Sequence, residues 1–211
     1  MAISAADGVC DECGFDYDRV ADDEVGPALR DFGRRYRMPL TRGLKDESLD
    51  DIVRAHPTPG VWSALEYACH VRDVFLVQRD RLYTTLVEDK PVVAPMYREQ
   101  RVTLARYNAQ DPTEVATQLT TAARLIAQAF DALDSVQFQR LCIYNFPAPA
   151  ERPLLWVGQH AVHEGETPPP RRRGGDRPRP CHCRINVDAK RAAQMDTRHN
   201  RSGWRSELWK A

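Results

Sequence analysis

The residues of this chain best suited to chemistry are three histidines and a glutamate: His70, His160, His163 and Glu164. His160 and His163 stand one helical turn apart, Glu164 follows at once, and His160 and Glu164 are spaced i, i+4. Helices that face each other in a bundle can bring such side chains into one interior pocket. Imidazole suits zinc, nickel, copper and iron, and three protein ligands with an open position make the catalytic arrangement. Glu164 has the chemistry of a general base, or of a group that orients a ligand. A histidine inside a helix is equally compatible with a plain hydrogen-bonded role, so spacing alone leaves the metal reading open.

These residues need helices to hold them. Val25, Leu29, Phe32 and Tyr36 recur at helical spacing with charges between them, which predicts a helix over Val25–Tyr36. After the break at Pro57-Thr58-Pro59-Gly60, a long helix is expected from about Trp62 to Val87. Its apolar face runs through Leu65, Ala68, Val71, Phe75 and Leu82, and it carries His70. Pro91 and Pro95 mark a connector into a shorter helical stretch around Glu99–Tyr107. Asp111-Pro112-Thr113-Glu114 offers an N-cap acid, a proline at the first helical position and a first-turn carboxylate, so a third long helix runs to about Leu133. A loop containing Phe146-Pro147-Ala148-Pro149 precedes a fourth, from about Pro153, which bears His160, His163 and Glu164. No period-2 pattern stands out, so the expected fold is an all-α four-helix bundle over 23–166, after a leader at 1–22.

The chain has 211 residues and zero formal net charge, but the average conceals two segments of opposite sign. Residues 167–211 hold 12 Lys/Arg against 4 Asp/Glu, leaving the preceding 166 residues at net −8. The acidic body, and the lack of aromatics near the arginine run, point away from specific nucleic-acid recognition and leave only non-specific attraction of phosphate. The N-terminus has neither a basic region nor an apolar stretch, and no apolar run is long enough to span a membrane, so a cytoplasmic location is expected. Cys69 and Cys142 lie in apolar surroundings and read as small buried hydrophobes. Cys10 and Cys13 have the C-x2-C spacing of a zinc ligand pair, but Cys181-His182-Cys183 is too tight to complete a common knuckle. The first pair reads instead as a short turn packed on the bundle.

Three stretches together carry a resemblance. Trp62-Ser63-Ala64-Leu65-Glu66-Tyr67-Ala68-Cys69-His70-Val71-Arg72-Asp73-Val74 resembles the second helix of the DinB/YfiT-like superfamily. Trp156 and His160-Ala161-Val162-His163-Glu164-Gly165-Glu166 resemble its metal-bearing last long helix. Cys10-Asp11-Glu12-Cys13-Gly14-Phe15-Asp16 resembles the opening of one subgroup. The resemblance implies a four-helix bundle holding a divalent metal, zinc or nickel, with three histidines: one from the second helix and two four apart on the last. It also implies a small-molecule substrate, for some members a low-molecular-weight thiol such as mycothiol or bacillithiol in an S-transferase or isomerase reaction, and it is compatible with a homodimer. Carried onto this chain, His70 is the first ligand and His163 the second. The third falls at position 167, which is Thr167. His160 and Glu164 are the neighbours that could substitute, and metal affinity is expected to be weakened.

The last helix must stop at Thr167-Pro168-Pro169-Pro170, because consecutive prolines lack the N–H and clash with the preceding turn. Beyond lies a Pro/Arg-rich tail with no apolar period, expected to be disordered. Its start has a simple alternative origin. The codons ACA CCA CCT CCT CGA encode Thr-Pro-Pro-Pro-Arg, and without their first base they read His-His-Leu-Leu. The tail over 167–211 is therefore either out-of-frame translation or a natural basic extension.

Overall fold

The computed structural model of the chain describes residues 8–10, 13–42, 48–145 and 149–166. Thr167, Cys181, Cys183 and the rest of the tail lie outside the described residues, as do 1–7 and Phe146-Pro147-Ala148.

Four long helices make the frame: α1 (Asp22–Thr41), α3 (Ala64–Val87), α5 (Pro112–Asp131) and α7 (Leu154–Glu166). Short helices α2 (Leu49–Arg54), α4 (Arg98–Leu104) and α6 (Ser135–Phe138) fill the connections. Two of the long helices, α3 and α5, begin where side chains satisfy their first N–H groups. Asp111 caps α5 by accepting from Glu114 N at 2.8 Å, with Pro112 at the first position as the spacing predicts. Ser63 and Glu66 cap α3 reciprocally, Glu66 N donating to Ser63 Oγ at 3.1 Å and Ser63 N to Glu66 Oε2 at 2.8 Å. The helices are longer or shorter than periodicity suggests by a few residues. The largest difference is α1, which runs on both sides of Val25–Tyr36.

Helix α1 packs along α5 and α7, and α3 packs along the other sides of the same two helices. The order around the bundle is therefore α1, α5, α3, α7, so the two histidine-bearing helices are neighbours. Phe32, Phe75, Leu119, Ile126, Phe130 and Val157 are fully buried between them. Burying one such side chain stabilises the fold by about 1.5–3 kcal/mol.

One expectation needs correcting. The segment read as a loop before the last helix is a β-hairpin, β2 (Leu141–Tyr144) and β3 (Ala150–Pro153), and β1 (Val92–Val93) lies parallel to β2. Leu141-Cys142-Ile143-Tyr144 does alternate, with Cys142 and Tyr144 buried, but four residues are too few for the alternation to stand out. The small sheet has a positional role. It places buried Tyr144 against Trp156 and His160 on α7, at ring-centroid distances of 4.9 and 5.7 Å. Arg81 and Gln78 of α3 donate to the Tyr144 hydroxyl at 2.5 and 3.0 Å.

Among the described residues no helix is long and apolar enough to cross a membrane.

Candidate metal centre

The inner face of α7 carries the site. His160, His163 and Glu164 are all buried, and one ligand atom from each lies within 4.8 Å of the others. Periods of three and four place the three side chains together on a helix, and α7 has its buried face over this stretch. Two imidazoles and one carboxylate at this separation fit a divalent ion. Bonds of roughly 2.0–2.2 Å in a tetrahedron put ligand atoms roughly 3.3–3.5 Å apart, a modest contraction from the observed spacing.

Glu164 is the hub. Its Oε2 is 3.1 Å from His70 Nε2, its Oε1 accepts from Arg98 Nη2 at 2.8 Å, and His160 Nε2 is 3.6 Å from Oε1. A carboxylate can only accept, so His70 carries its proton on Nε2. Burial pushes the Glu164 carboxyl upward, but Arg98 and the His70 hydrogen bond outweigh it and hold the group well below the usual carboxylate range. His160 too lies below its ordinary value. Burial lowers it to about 3, against a partial opposing pull from Glu164, so its imidazole is neutral at physiological pH and has a lone pair to offer.

His70 approaches the same cluster from α3. It reaches the site through Glu164 and belongs to neither of the ligand groups that the described residues form. Its Nδ1 is buried with no hydrogen-bond partner among the described residues. With the proton on Nε2, that nitrogen is an unsatisfied acceptor, which is a donor atom a cation could use. Trp62 packs on the ring at 5.0 Å.

Two participants escaped sequence reading. Tyr17, which follows the Cys-x2-Cys-Gly-Phe-Asp run, sends its hydroxyl between the two α7 histidines, 3.2 Å from His160 Nδ1 and 3.0 Å from His163 Nδ1. The run itself was the available signal. Arg98 had none, being one arginine among many. It begins α4 directly after Tyr97, whose φ of +54° lies in the left-handed region that side chains other than glycine seldom adopt. Aromatic rings wall the site: Trp156 stacks on His160 at 4.8 Å and on Tyr17 at 5.9 Å.

The family model described as "DinB superfamily" matches residues 32–166, the whole of the bundle from the middle of α1 to the end of α7. The chain belongs to the DinB superfamily. Two solved structures share its fold. YfiT from Bacillus subtilis, described as a probable metal-dependent hydrolase with an unusual four-helix bundle topology, superposes with a TM-score of 0.59 at 16% identity, over 68% of this chain and 79% of that one. The mycothiol-dependent maleylpyruvate isomerase superposes with a TM-score of 0.52 at 15% identity, over 70% of this chain and 61% of that one. At these identities the likeness is one of fold. Among curated protein sequences none matches this chain.

Proposed function

We propose that this DinB superfamily protein binds a divalent metal, zinc or nickel, at the α7 cluster, and that its chemistry is thiol S-transfer or hydrolysis weakened by Thr167. The observation that carries the reading is the buried convergence of His160, His163 and Glu164, with ligand atoms within 4.8 Å of one another. The described functions of the two structural neighbours, one probably metal-dependent and one mycothiol-dependent, point the same way.

A bound divalent ion would supply acidity, turning a thiol or water on it into thiolate or hydroxide near neutral pH. The chain's own groups do the remaining work. His160 and His163 offer ring nitrogens, and Tyr17 orients both rings through their Nδ1 atoms. Glu164, held ionised, either ligates or takes a proton from the nucleophile. Trp62, Trp156 and Tyr144 exclude water and strengthen the local electrostatics. Arg98 works against metal binding, because the cation must give up Glu164 Oε1 or share it.

Position 167 lies four residues beyond His163 in the sequence, where the resemblance implies a third histidine. A threonine there leaves the site one imidazole short. That deficit, with the Arg98 clamp on Glu164, favours a second reading, in which the bundle binds a small ligand without catalysing its conversion. Metal titration of the full chain tests the first reading. In a Cys10→Ser, Cys13→Ser background, which carries no thiolate pair, zinc or nickel should bind with one-to-one stoichiometry, and adding Glu164→Gln with His160→Asn should remove that binding. Binding unaffected by the added pair refutes the assignment. Thiol-transfer assays with mycothiol, with and without added metal, separate enzyme from binding module.

A further inference from the structure

A second ligand group touches the first from the outside. Cys10, Cys13 and His163 also have ligand atoms within 4.8 Å of one another. From this geometry we infer that the chain holds a thiolate-liganded site for a thiophilic divalent ion, formed by Cys10, Cys13 and His163, which clamps the N-terminal turn onto α7.

Local structure makes the pair. Cys10 and Cys13 have C-x2-C spacing, and the turn is closed by Gly14 N donating to Cys10 O and Cys10 N donating to Phe15 O, both at 2.8 Å. Gly14 has a φ of +73°, a backbone conformation open to glycine at no steric cost, and Val9 bridges Asp16 on the far side of the turn. The pair is thus pre-shaped at the spacing that tetrahedral sulfur sites use. Both cysteines are thiols in this structure. Cys10 is buried and Cys13 exposed, so the cluster reaches solvent on one side and gives an ion a way in.

His163 is aimed at this pair. Its Nε2 lies 3.2 Å from Cys13 Sγ, while its Nδ1 faces the Tyr17 hydroxyl. With its Nδ1 facing the Tyr17 hydroxyl, Nε2 is the His163 ring atom presented to the sulfurs. Phe15 packs on His163 at 4.9 Å and on Tyr17 at 5.1 Å, so the turn sits on α7 through the same rings that fix the imidazole.

On binding, each thiol loses its proton to solvent and two Sγ–metal bonds form with one Nε2–metal bond, leaving a fourth position open. No electron is transferred. Because His163 belongs to both groups, an ion on the cysteine side withholds it from the carboxylate side. Soft thiolates select zinc, cadmium or cobalt there, whereas imidazole and carboxylate serve the inner group.

The test is titration of the reduced full chain with Co(II) alone, followed by ultraviolet and visible absorption, where thiolate ligation gives a charge-transfer band that nitrogen and oxygen ligands do not. The band should appear at one equivalent, be displaced by zinc, and weaken by more than about tenfold in affinity in Cys13→Ser. It should persist in Cys181→Ser with Cys183→Ser, and also in Glu164→Gln with His160→Asn. That last pair is the variant that removes the inner site, so the two readings fail separately. No band at saturating Co(II), a band unchanged in Cys13→Ser, or a band lost with the tail cysteines overturns the proposal. Cys13 is exposed, so its variant should keep its helical circular dichroism; if it does not, zinc protection of Cys10 and Cys13 from maleimide in the unaltered chain decides, and absence of protection counts against the site.

Discussion

The Tyr17 hydroxyl lies 3.0 Å from His163 Nδ1 and thereby fixes, from outside the bundle, how a helix-borne imidazole presents its other nitrogen. Groups that orient a ligand's far nitrogen are typically worth about 10–100-fold in metal affinity. Tyr17→Phe should therefore keep the fold and weaken zinc binding by about that factor, measured by competition with a chelating dye. An unchanged affinity would mean that packing alone orients the ring.

Arg98 and Glu164 form a mostly buried ion pair at 2.8 Å. Removing one partner of such a pair leaves an uncompensated charge, at a cost of about 3–5 kcal/mol. Arg98→Met should lower the urea midpoint of the metal-free chain accordingly. Added zinc should then raise its Tm by more than it raises that of the unaltered chain, since the ion replaces the lost cation. Equal metal-induced shifts in the two proteins would argue against ligation by Glu164.

Acidification should destabilise the metal-free chain in two overlapping steps. His160 is depressed from 6.5 to about 3, so below pH 6.5 the unfolded chain takes up a proton that the folded chain refuses. Stability then falls as pH drops from 6.5 towards 3, at up to about 1.4 kcal/mol per pH unit. Glu164 is also depressed, from 4.5, and its contribution, full above that value, is lost as pH falls below it. Chemical denaturation between pH 7 and 4 checks the sign, and His160→Asn should flatten the upper part of the slope. A stability that rises on acidification contradicts both assignments.

Two glycines let α7 approach its neighbours. A Cβ on Gly158 would sit 2.8 Å from Val25 Cγ1 and 2.9 Å from Phe130 Cε1, and one on Gly165 would sit 2.6 Å from the Phe32 ring. Alanine gains up to about 1 kcal/mol in helix propensity, but these neighbours are fully buried and have nowhere to move. Overpacking at about 1–3 kcal/mol wins, so Gly158→Ala and Gly165→Ala should each lower the urea midpoint. A rise in either midpoint would show that the α7 interface has slack.

Thr167→His restores the donor that the resemblance places at that position. We expect it to tighten zinc or nickel binding at least tenfold, read by calorimetry, and a chain carrying the repaired frame beyond codon 167 to bind more tightly still. Sequencing the coding DNA across codons 160–180 belongs with it. A one-base change that restores His-His-Leu-Leu and an open frame identifies the tail as out-of-frame translation. A closed alternative frame identifies it as the chain's own.

Much of this protein was legible along the sequence because helices are local. Apolar spacing through Leu65, Ala68, Val71 and Phe75 marked α3, and Asp111-Pro112 marked the start of α5, since caps and faces depend on residues within a turn or two. The same locality puts His160, His163 and Glu164 together, so a ligand-bearing stripe on α7 could be read before any packing was known. What could not be read were partners that meet that stripe from elsewhere: Cys13 and Tyr17 from the leader and Arg98 from α4. Nor could β1 and β2 be seen, because a parallel pair of Val92 with Ile143 has no local signature. Which side chains share a helix face follows from backbone periodicity, whereas which faces meet follows from burying all the apolar stripes at once. Only that global packing turned four candidate residues into a hub centred on Glu164, with a cysteine pair at its edge.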